Sequence, residues 1–286
     1  MKSKVQPKRI NRSLGGDMGI ILVLGISAAF MALPLVYAIS NAFKPLNELF
    51  LFPPQFFVRN PTLANFQDLV ILMGSSWIPF SRYIYNTLVI ALVGTAGHVL
   101  IASLAAYSLA KHKFPGNNFV FSLIVLSLMF APQVTAIPNY LVMAKLKWID
   151  SYKSLVIPAW GMSLGLYLMK QFMEQVPDSL IEAARIDGAR EIRIFWQIVM
   201  PIVRPAWLTL IILSFQQLWG VTGGNFIYSE QLKPLSYALQ QIIAGGISRA
   251  GVSAAIGVVM MIVPITVFVF NQSKVVETMG ASGLKE

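Results

Sequence analysis

The sequence has no cysteine and only two histidines in 286 residues. A chain without cysteine forms neither a disulfide framework nor a thiolate metal site, and two histidines are too few for a multi-histidine zinc centre. We therefore expect no metal site in this chain.

Charged residues are also scarce, at 12% of the sequence, whereas 56% is hydrophobic. Soluble domains carry about a quarter charged residues, so this composition indicates a membrane protein. The formal net charge is +10, but a phosphate backbone is bound by a basic face on a soluble surface. Here the charges are confined to short segments between apolar runs, and we expect no nucleic-acid partner.

Six apolar runs contain no Asp, Glu, Lys or Arg. Most of them reach the roughly 20 residues that a helix needs to cross about 30 Å of hydrocarbon. The fourth is shorter, and we expect Lys153 and Lys170 to extend it by snorkelling from its ends. The sequence thus predicts an all-α integral membrane protein, with a tail at 1–17 and one six-helix domain at 18–286. The runs are 18–40, 84–110, 118–144, 154–169, 205–229 and 251–273.

The positions of Lys and Arg predict the orientation, because cytoplasmic loops carry an excess of both. With a cytoplasmic N-terminus, 14 of the 22 fall in the inside segments, so both termini are expected in the cytoplasm. The first run exceeds a signal-peptide core of about 7 to 15 residues, which favours an uncleaved span. Segment 45–81 is expected outside, with short helical or interfacial pieces. The inside residues are Lys2, Lys4, Lys8, Arg9, Arg12, Lys111, Lys113, Lys170, Arg185, Arg190, Arg193, Arg204, Lys274 and Lys285.

Segment 177–201 differs from its apolar surroundings. Ser179 followed by Glu182 is a capping-box pattern, and residues 180–186 favour a short helix that Gly188 would stop. A second helix is predicted over 190–200, before Pro201 leads into the fifth span; its apolar positions are Ile194, Phe195 and Ile198. Such a knob suits a groove on another protein. The alternative is a loop that caps itself and only supports the bundle.

The spacing within this segment resembles the EAA loop of bacterial ABC-importer permeases. Glu182-Ala183-Ala184 is followed by Gly188, and Ile198-Val199-Met200-Pro201 stands where that family usually has Ile-x-Leu-Pro. Other stretches are similar to the MalG-type carbohydrate permeases, which often have Asn where Gly220 follows Trp219 here. These stretches are Ala106-Tyr107-Ser108-Leu109-Ala110, Phe114-Pro115-Gly116, Ala131-Pro132, Ile137-Pro138, Asp187-Gly188-Ala189 and Ala281-Ser282-Gly283-Leu284-Lys285.

This resemblance implies a six-helix type I ABC-importer permease fold, also called MetI-like, with a cytoplasmic coupling helix that docks in a cleft of an ATPase subunit. It further implies a bacterial inner-membrane location and four kinds of partner: a dimer of ATP-binding subunits, a second, MalF-type permease, an extracytoplasmic solute-binding protein, and a sugar, with an oligosaccharide favoured. The residues that match the coupling segment are Glu182, Ala183, Ala184, Arg185, Asp187 and Gly188. Glu182 and Asp187 are suited to accept charged hydrogen bonds, and Arg185 and Arg190 are suited to donate them. Ala183 and Ala184 are expected to keep one face of the helix thin enough for a partner to approach closely.

The chain has no Gly-x-x-x-x-Gly-Lys-Ser/Thr sequence to cradle phosphates. We therefore expect that it is not an enzyme, and that ATP and Mg²⁺ are bound by partner subunits. The alternative function is an ion-coupled secondary carrier for a small polar solute, but such carriers use intramembrane carboxylates and the six runs have none. Nor do the runs offer the acid–base or nucleophile sets of a membrane enzyme.

Polar and aromatic residues in the middle runs are candidates for a sugar pathway. Amides and aromatics also bridge neighbouring helices or sit at the membrane interface, which is the plainer interpretation of each one. We expect His98 to be a neutral packing histidine and Arg204 a snorkelling anchor. The pathway candidates are Gln133, Asn139, Tyr140, Trp160, Tyr167, Gln216, Gln217 and Trp219.

Overall fold

The computed structural model describes residues 14–74 and 77–282, and the side chains of residues 15–74 and 77–272. Residues 1–13 of the predicted tail and residues 283–285 of the matched C-terminal stretch lie outside the described residues. The chain divides into two compact units, one formed by Met1–Leu69 with Gly246–Val258 and the other by Val70–Gly245 with Val259–Glu286.

Helices make up the regular structure of the described residues. A π-helical turn lies at Phe195–Val199, and 3-10 turns lie at Glu230–Leu232 and Ile247–Arg249. The α-helices are α1 (Leu14–Ala42), α2 (Leu46–Leu49), α3 (Ala64–Gly74), α4 (Phe80–Lys111), α5 (Asn117–Ser127), α6 (Pro132–Lys145), α7 (Lys153–Trp160), α8 (Ser163–Glu174), α9 (Asp178–Ile186), α10 (Glu191–Ile194), α11 (Met200–Ile202), α12 (Arg204–Trp219), α13 (Leu235–Ile243) and α14 (Ala250–Ser282).

Three helical stretches of the described chain are long and apolar enough to cross a membrane, namely Gly15–Ala42, Phe80–Lys111 and Ile247–Gln272. They confirm the first, second and sixth predicted spans. Two bent helix pairs would raise the number to five if each crosses as one span. The prediction of six spans is therefore corrected, because the third and fourth runs are divided and the helix of the fifth run ends early.

The third predicted span is two helices, α5 and α6, that meet at 111°. Pro132 stands in the first turn of α6, and Ala131 before it is extended, with φ −67° and ψ 142°. A proline pushes the residue before it out of the α region, so one helix does not continue through this point.

The fourth predicted span is also divided. α7 ends at Trp160 and α8 begins at Ser163, so neither helix has the roughly 20 residues of a full crossing. Lys170 does not snorkel as predicted, because its side chain is buried. Its Nζ lies 2.6 Å from Glu174 Oε1 and 3.7 Å from the centroid of the Phe121 ring. The carboxylate and the aromatic face compensate the buried charge.

The fifth predicted span, 205–229, ends early. Its helix α12 stops at Trp219, and Gly223 and Gly224 in the segment that follows have φ values of +84° and +45°. Glycine adopts positive φ without steric cost, and a right-handed helix requires negative φ. The glycines therefore belong to an irregular segment and not to the span.

The break before α12 lies at Val203, with φ −87° and ψ 22°, and not at Pro201 as predicted. Pro201 is part of the short helix α11. Pro205, in the first turn of α12, has no N–H to donate into a preceding turn, and this position is where a helix start tolerates proline. The two helical stretches meet at 80°.

In the larger unit, α4 packs against α7, α8 and α12. Two glycines permit this close packing. A Cβ at Gly97 would lie 2.0 Å from Nε1 of Trp160, and one at Gly165 would lie 2.1 Å from Nε2 of His98. Small residues let helix backbones approach in this way, so α4 has a close partner on more than one side.

In the smaller unit, the segment after α1 folds back on the end of that helix. Glu48 is buried, and its Oε1 accepts a hydrogen bond from the Arg59 N–H at 2.6 Å. The Asn65 amide donates to the carbonyl oxygens of Ala42 and Lys44 at 2.9 and 2.8 Å. The short helical pieces predicted for 45–81 are α2 and α3.

Candidate functional site

The helix α9 carries most of the residues predicted to couple this chain to an ATPase. The predicted helix over 180–186 is confirmed within Asp178–Ile186. The capping box of Ser179 and Glu182 is wrong, because the helix follows Pro177 and has no side-chain cap hydrogen bond. Asp178 is already helical, so Ser179 lies inside the first turn and not at the N-cap.

The end of α9 is a Schellman turn at Gly188, as the sequence predicted. Gly188 has φ +79°, its N–H donates to the Arg185 carbonyl at 3.0 Å, and the Ala189 N–H donates to the Ala184 carbonyl at 2.9 Å. This pair of bonds defines the motif and favours glycine at the left-handed position. The chain therefore leaves α9 in a fixed direction toward α10.

The two sides of α9 have different surroundings. Ile181 and Ala184 are buried in the core of the larger unit, whereas Ile186 is 86% exposed and Leu180 is 45% exposed. Ala183 is exposed as well, so the two alanines do not share one thin face as predicted. Successive residues of an α-helix are about 100° apart around its axis, which places adjacent alanines on different sides.

The first turn of α9 is bound to the last residue of α4. Lys111 Nζ donates to Asp178 Oδ1 at 2.7 Å and also to the carbonyl oxygen of Val176. The Lys111 ammonium holds the pKa of the Asp178 carboxyl below its usual range. A charged contact thus joins α9 to a helix that ends 67 residues earlier in the chain.

The last turn of α9 is bound through Glu191, the first residue of α10. Arg185 Nε donates to Glu191 Oε1 at 2.8 Å, and the Tyr107 hydroxyl donates to Glu191 Oε2 at 2.8 Å. The guanidinium, and then the hydroxyl, lower the pKa of the Glu191 carboxyl against the opposing effect of partial burial. His112 Nε2 lies 3.6 Å from the same Oε2.

Glu191 was missed by the sequence analysis, which assigned the Arg185 guanidinium to an outside partner. No local pattern singles out this glutamate, because Tyr107 precedes it by 84 residues. The other polar candidates of this segment, Glu182 and Asp187, are exposed. The coupling candidates thus divide into residues that hold α9 in place and residues that lie open on its surface.

The second predicted helix, 190–200, is confirmed as helical, but it is not one continuous α-helix. It consists of α10, a π-helical turn at Phe195–Val199 and α11. Ile194 and Phe195 are buried, and the Phe195 ring lies 5.4 Å from that of Tyr107. The apolar positions predicted from helical spacing therefore face the same core that holds α9.

Three of the aromatic pathway candidates have partners within the larger unit. Trp160 Nε1 donates to the Val93 carbonyl at 3.1 Å, and Trp219, which is buried, donates to the Met260 carbonyl at 3.2 Å. The Tyr167 ring stacks on Phe121, with centroids 6.1 Å apart. These contacts are helix-to-helix packing of the kind expected in membrane bundles.

The other pathway candidates are more open. Gln133 and Asn139 on α6 are exposed, as are Gln216 and Gln217 on α12. The Tyr140 hydroxyl lies 3.1 Å from the Tyr228 hydroxyl. Within the described part of the chain, no hydrogen bond joins two of the eight candidates, so the structure does not gather them into one preformed site.

His98 is a packing residue in the described geometry. Its side chain is buried, and Nδ1 lies 3.3 Å from the carbonyl oxygen of Trp160. Arg204 is exposed at the first turn of α12. Among the described residues, no group of three or more His, Asp or Glu side chains is arranged to hold a metal ion.

The profile of one protein family matches residues 98–278, more than half of the chain. Its description is "Binding-protein-dependent transport system inner membrane component". The chain belongs to this family. The matched region of the permease includes the whole of segment 177–201, which confirms the resemblance found in the sequence. It also accounts for the apolar helices, since members are multi-pass proteins of the inner membrane.

Curated relatives of the permease include two proteins named sn-glycerol-3-phosphate transport system permease protein UgpE. The one from Yersinia enterocolitica is 36% identical over 154 residues, which cover 52% of this chain and 55% of the relative. The one from Pectobacterium atrosepticum is 31% identical over 201 residues, which cover 70% and 71%. The chain thus spans about half of the first relative and more than two thirds of the second.

Two solved structures share the fold of the permease. The first, a bacterial ABC transporter involved in the import of the acidic polysaccharide alginate, gives a TM-score of 0.71 at 22% identity and covers 93% of this chain and 99% of its own. The second, a bacterial alginate ABC transporter in complex with an alginate pentasaccharide-bound periplasmic protein, gives 0.60 at 15% identity, with 91% and 96% covered. The all-α, MetI-like importer-permease fold is thereby confirmed.

Proposed function

We propose that this permease forms one transmembrane half of an ATP-driven importer and couples to a separate ATPase through α9. The observation that carries the proposal is the open surface of this helix. Ile186 is 86% exposed on a short helix whose other side is buried and whose end is a fixed turn. An exposed isoleucine flanked by charged residues is suited to a groove on a partner protein.

The partner that fits this surface is a dimer of cytoplasmic ATP-binding subunits, which would hold ATP and Mg²⁺. Glu182 and Asp187 remain exposed as hydrogen-bond acceptors, whereas Arg185 is engaged with Glu191. We therefore assign the polar part of docking to the two acids and the apolar part to Ile186 and Ala183. With α9 in the cytoplasm, the alternation of spans puts both termini there too.

The transported class that we propose is a carbohydrate, with an oligosaccharide favoured, delivered by an extracytoplasmic solute-binding protein. Support comes from the names of the similar proteins, which concern sn-glycerol-3-phosphate and alginate, both rich in hydroxyl or charged oxygen atoms. A second, MalF-type permease would form the other half of the pathway. The better pathway candidates are the exposed residues Gln133, Asn139, Gln216 and Gln217.

Docking is tested by purifying the tagged permease from gently solubilised membranes and quantifying the ATPase subunit that stays bound. Ile186→Asp places a charge in the proposed contact at a position that is not part of the core, so we expect normal permease yield and at least a tenfold loss of bound ATPase, as for a buried interface anchor. Gly188→Pro combined with Glu182→Ala should have the same effect. Leu63→Asp is the matched control, since Leu63 is 60% exposed and lies outside segment 177–201 and outside the three continuous spans.

Two results would contradict the proposal. One is a wild-type permease that purifies alone as a stable, monodisperse protein, as the ion-coupled carrier would. The other is an Ile186→Asp variant that retains as much ATPase as the control.

A further inference from the structure

Both ends of α9 are held to the last turns of α4 by charged hydrogen bonds. At the first turn, Lys111 binds Asp178 at 2.7 Å. At the last turn, Arg185 binds Glu191, which in turn accepts from Tyr107, each at 2.8 Å. Tyr107 and Lys111 are four residues apart, so they lie on the same side of α4.

The contact through Glu191 spans the Gly188 turn that connects α9 to α10. The turn is closed by two backbone hydrogen bonds, from Gly188 to Arg185 and from Ala189 to Ala184, and glycine has the largest conformational freedom of any residue. A side-chain bond across this connection adds a constraint on the orientation of α9 relative to α10 that the turn alone does not supply. The Arg185–Glu191 bond fixes the angle between α9 and α10.

Glu191 is anchored on its other side by a rigid group. The Tyr107 ring is 5% exposed and lies 5.4 Å from the Phe195 ring and 5.3 Å from the His112 ring. Its hydroxyl therefore reaches Glu191 from a packed aromatic cluster. One carboxylate thus bonds to α9 with one oxygen and to α4 with the other.

We propose that Glu191 is a positioning residue that fixes the coupling helix to the cytoplasmic end of α4, so that displacement of α9 by the ATPase moves the second span with it. This inference rests on the proposed function, because it requires α9 to be the docking element. Ile181 and Ala184 belong to the core of the larger unit, so we expect α9 to stay seated when the Glu191 bonds are removed. The variant Glu191→Gln should therefore fold and dock, and transmit less movement to α4, since only the Lys111–Asp178 link remains.

The test is hydrogen–deuterium exchange on the purified complex of this permease with its ATPase, with and without ATP plus vanadate. In wild type we expect nucleotide to change amide exchange in both 178–190 and 104–111. In Glu191→Gln the change in 178–190 should persist. The change in 104–111 should fall by about twofold, because one charged link between α9 and α4 is lost while Lys111 still binds Asp178.

Two further variants separate positioning from general destabilisation. Tyr107→Phe removes only the hydroxyl link to α4, so it should reproduce the effect of Glu191→Gln, and the double variant should be no worse than either single variant, as for residues that act as a unit. Glu174→Gln is the matched control, because it breaks an ion pair of 2.6 Å with Lys170 that is not attached to α9. It should leave the response of 104–111 unchanged.

The outcomes distinguish the two proposals. If no ATPase subunit co-purifies with the wild type, the proposed function fails and the positioning role fails with it. If the ATPase co-purifies and 104–111 responds equally in wild type and Glu191→Gln, the positioning role is overturned and the docking proposal stands. The positioning role is also overturned if Glu191→Gln releases the ATPase, since Glu191 would then act in docking itself.

Discussion

At the residue scale, single polar side chains hold irregular segments of the larger unit in place. Asp150 is an example: its backbone has φ +58°, a left-handed conformation in which aspartate is enriched among non-glycine residues. Its Oδ1 accepts from the N–H groups of Tyr228 and Ser229 at 3.0 and 2.8 Å, and its Oδ2 accepts from the Ser229 hydroxyl. One carboxylate therefore fastens the segment after α12 to the turn before α7.

We predict that this attachment depends on pH. The hydroxyl and N–H donors of Ser229 lower the pKa of the Asp150 carboxyl, so the stabilisation is fully present above the ordinary aspartate pKa of about 4 and is lost as pH falls through the depressed value. Amide exchange at residues 226–229, corrected for intrinsic rates, should rise over this acidic window. Asp150→Asn keeps the backbone preference and should make exchange fast at neutral pH and insensitive to acid. An unchanged acid response in Asp150→Asn would contradict the assignment.

At the scale of elements, α4 is packed so closely that glycine is required on it. Trp160 of α7 lies over Gly97 and donates a hydrogen bond to Val93 of the same helix. The indole therefore joins the broken fourth run to the second span by both packing and hydrogen bonding. This arrangement explains why a divided fourth segment is compatible with a stable unit.

We predict that Gly97→Ala displaces Trp160. The new Cβ would lie 2.0 Å from the indole nitrogen, so α7 must move and the bond to Val93 is lost, at a cost of about 1–3 kcal/mol. Thermal unfolding of the purified permease should shift downward, with little or no shift for Gly257→Ala, where a Cβ meets nothing within 4 Å. Equal melting temperatures for the two variants would contradict the close contact between Gly97 and Trp160.

At the scale of the whole molecule, the orientation in the membrane follows from the position of the charged segments, and the chain offers a simple way to measure it. It has no cysteine, so a single introduced cysteine is the only thiol. Ile186 and Tyr228 are both exposed, at 86% and 58%, and the proposed topology puts them on opposite sides of the membrane.

We predict that a membrane-impermeant maleimide labels Tyr228→Cys in intact spheroplasts and labels Ile186→Cys only after permeabilisation. The expected contrast is at least about tenfold in labelling rate, since a thiol on the far side is reached only through leakage across the hydrocarbon. Labelling of Ile186→Cys in intact spheroplasts would reverse the orientation and remove α9 from the reach of a cytoplasmic ATPase.

The sequence by itself determined the membrane class, three of the continuous spans, the helix at 180–186 and the Gly188 turn. Each of these depends on residues that are close in the chain, through the length of an apolar run or the conformational freedom of one glycine. The EAA spacing also identified the family before any contact was known. The capping-box prediction at Ser179 was wrong, because the helix already begins at Asp178.

Only the tertiary structure decided how segment 177–201 is held. The bonds of Glu191 to Tyr107 and of Lys111 to Asp178 join positions 84 and 67 residues apart, and no local pattern specifies which distant donor a carboxylate will meet. The bend of the third span was likewise predicted as continuous helix, because hydropathy averages over the proline at 132. Ala184 is buried whereas Ala183 is exposed. The neighbours of a helix in space determine which of its faces enters the core, and the sequence of the helix alone does not specify them.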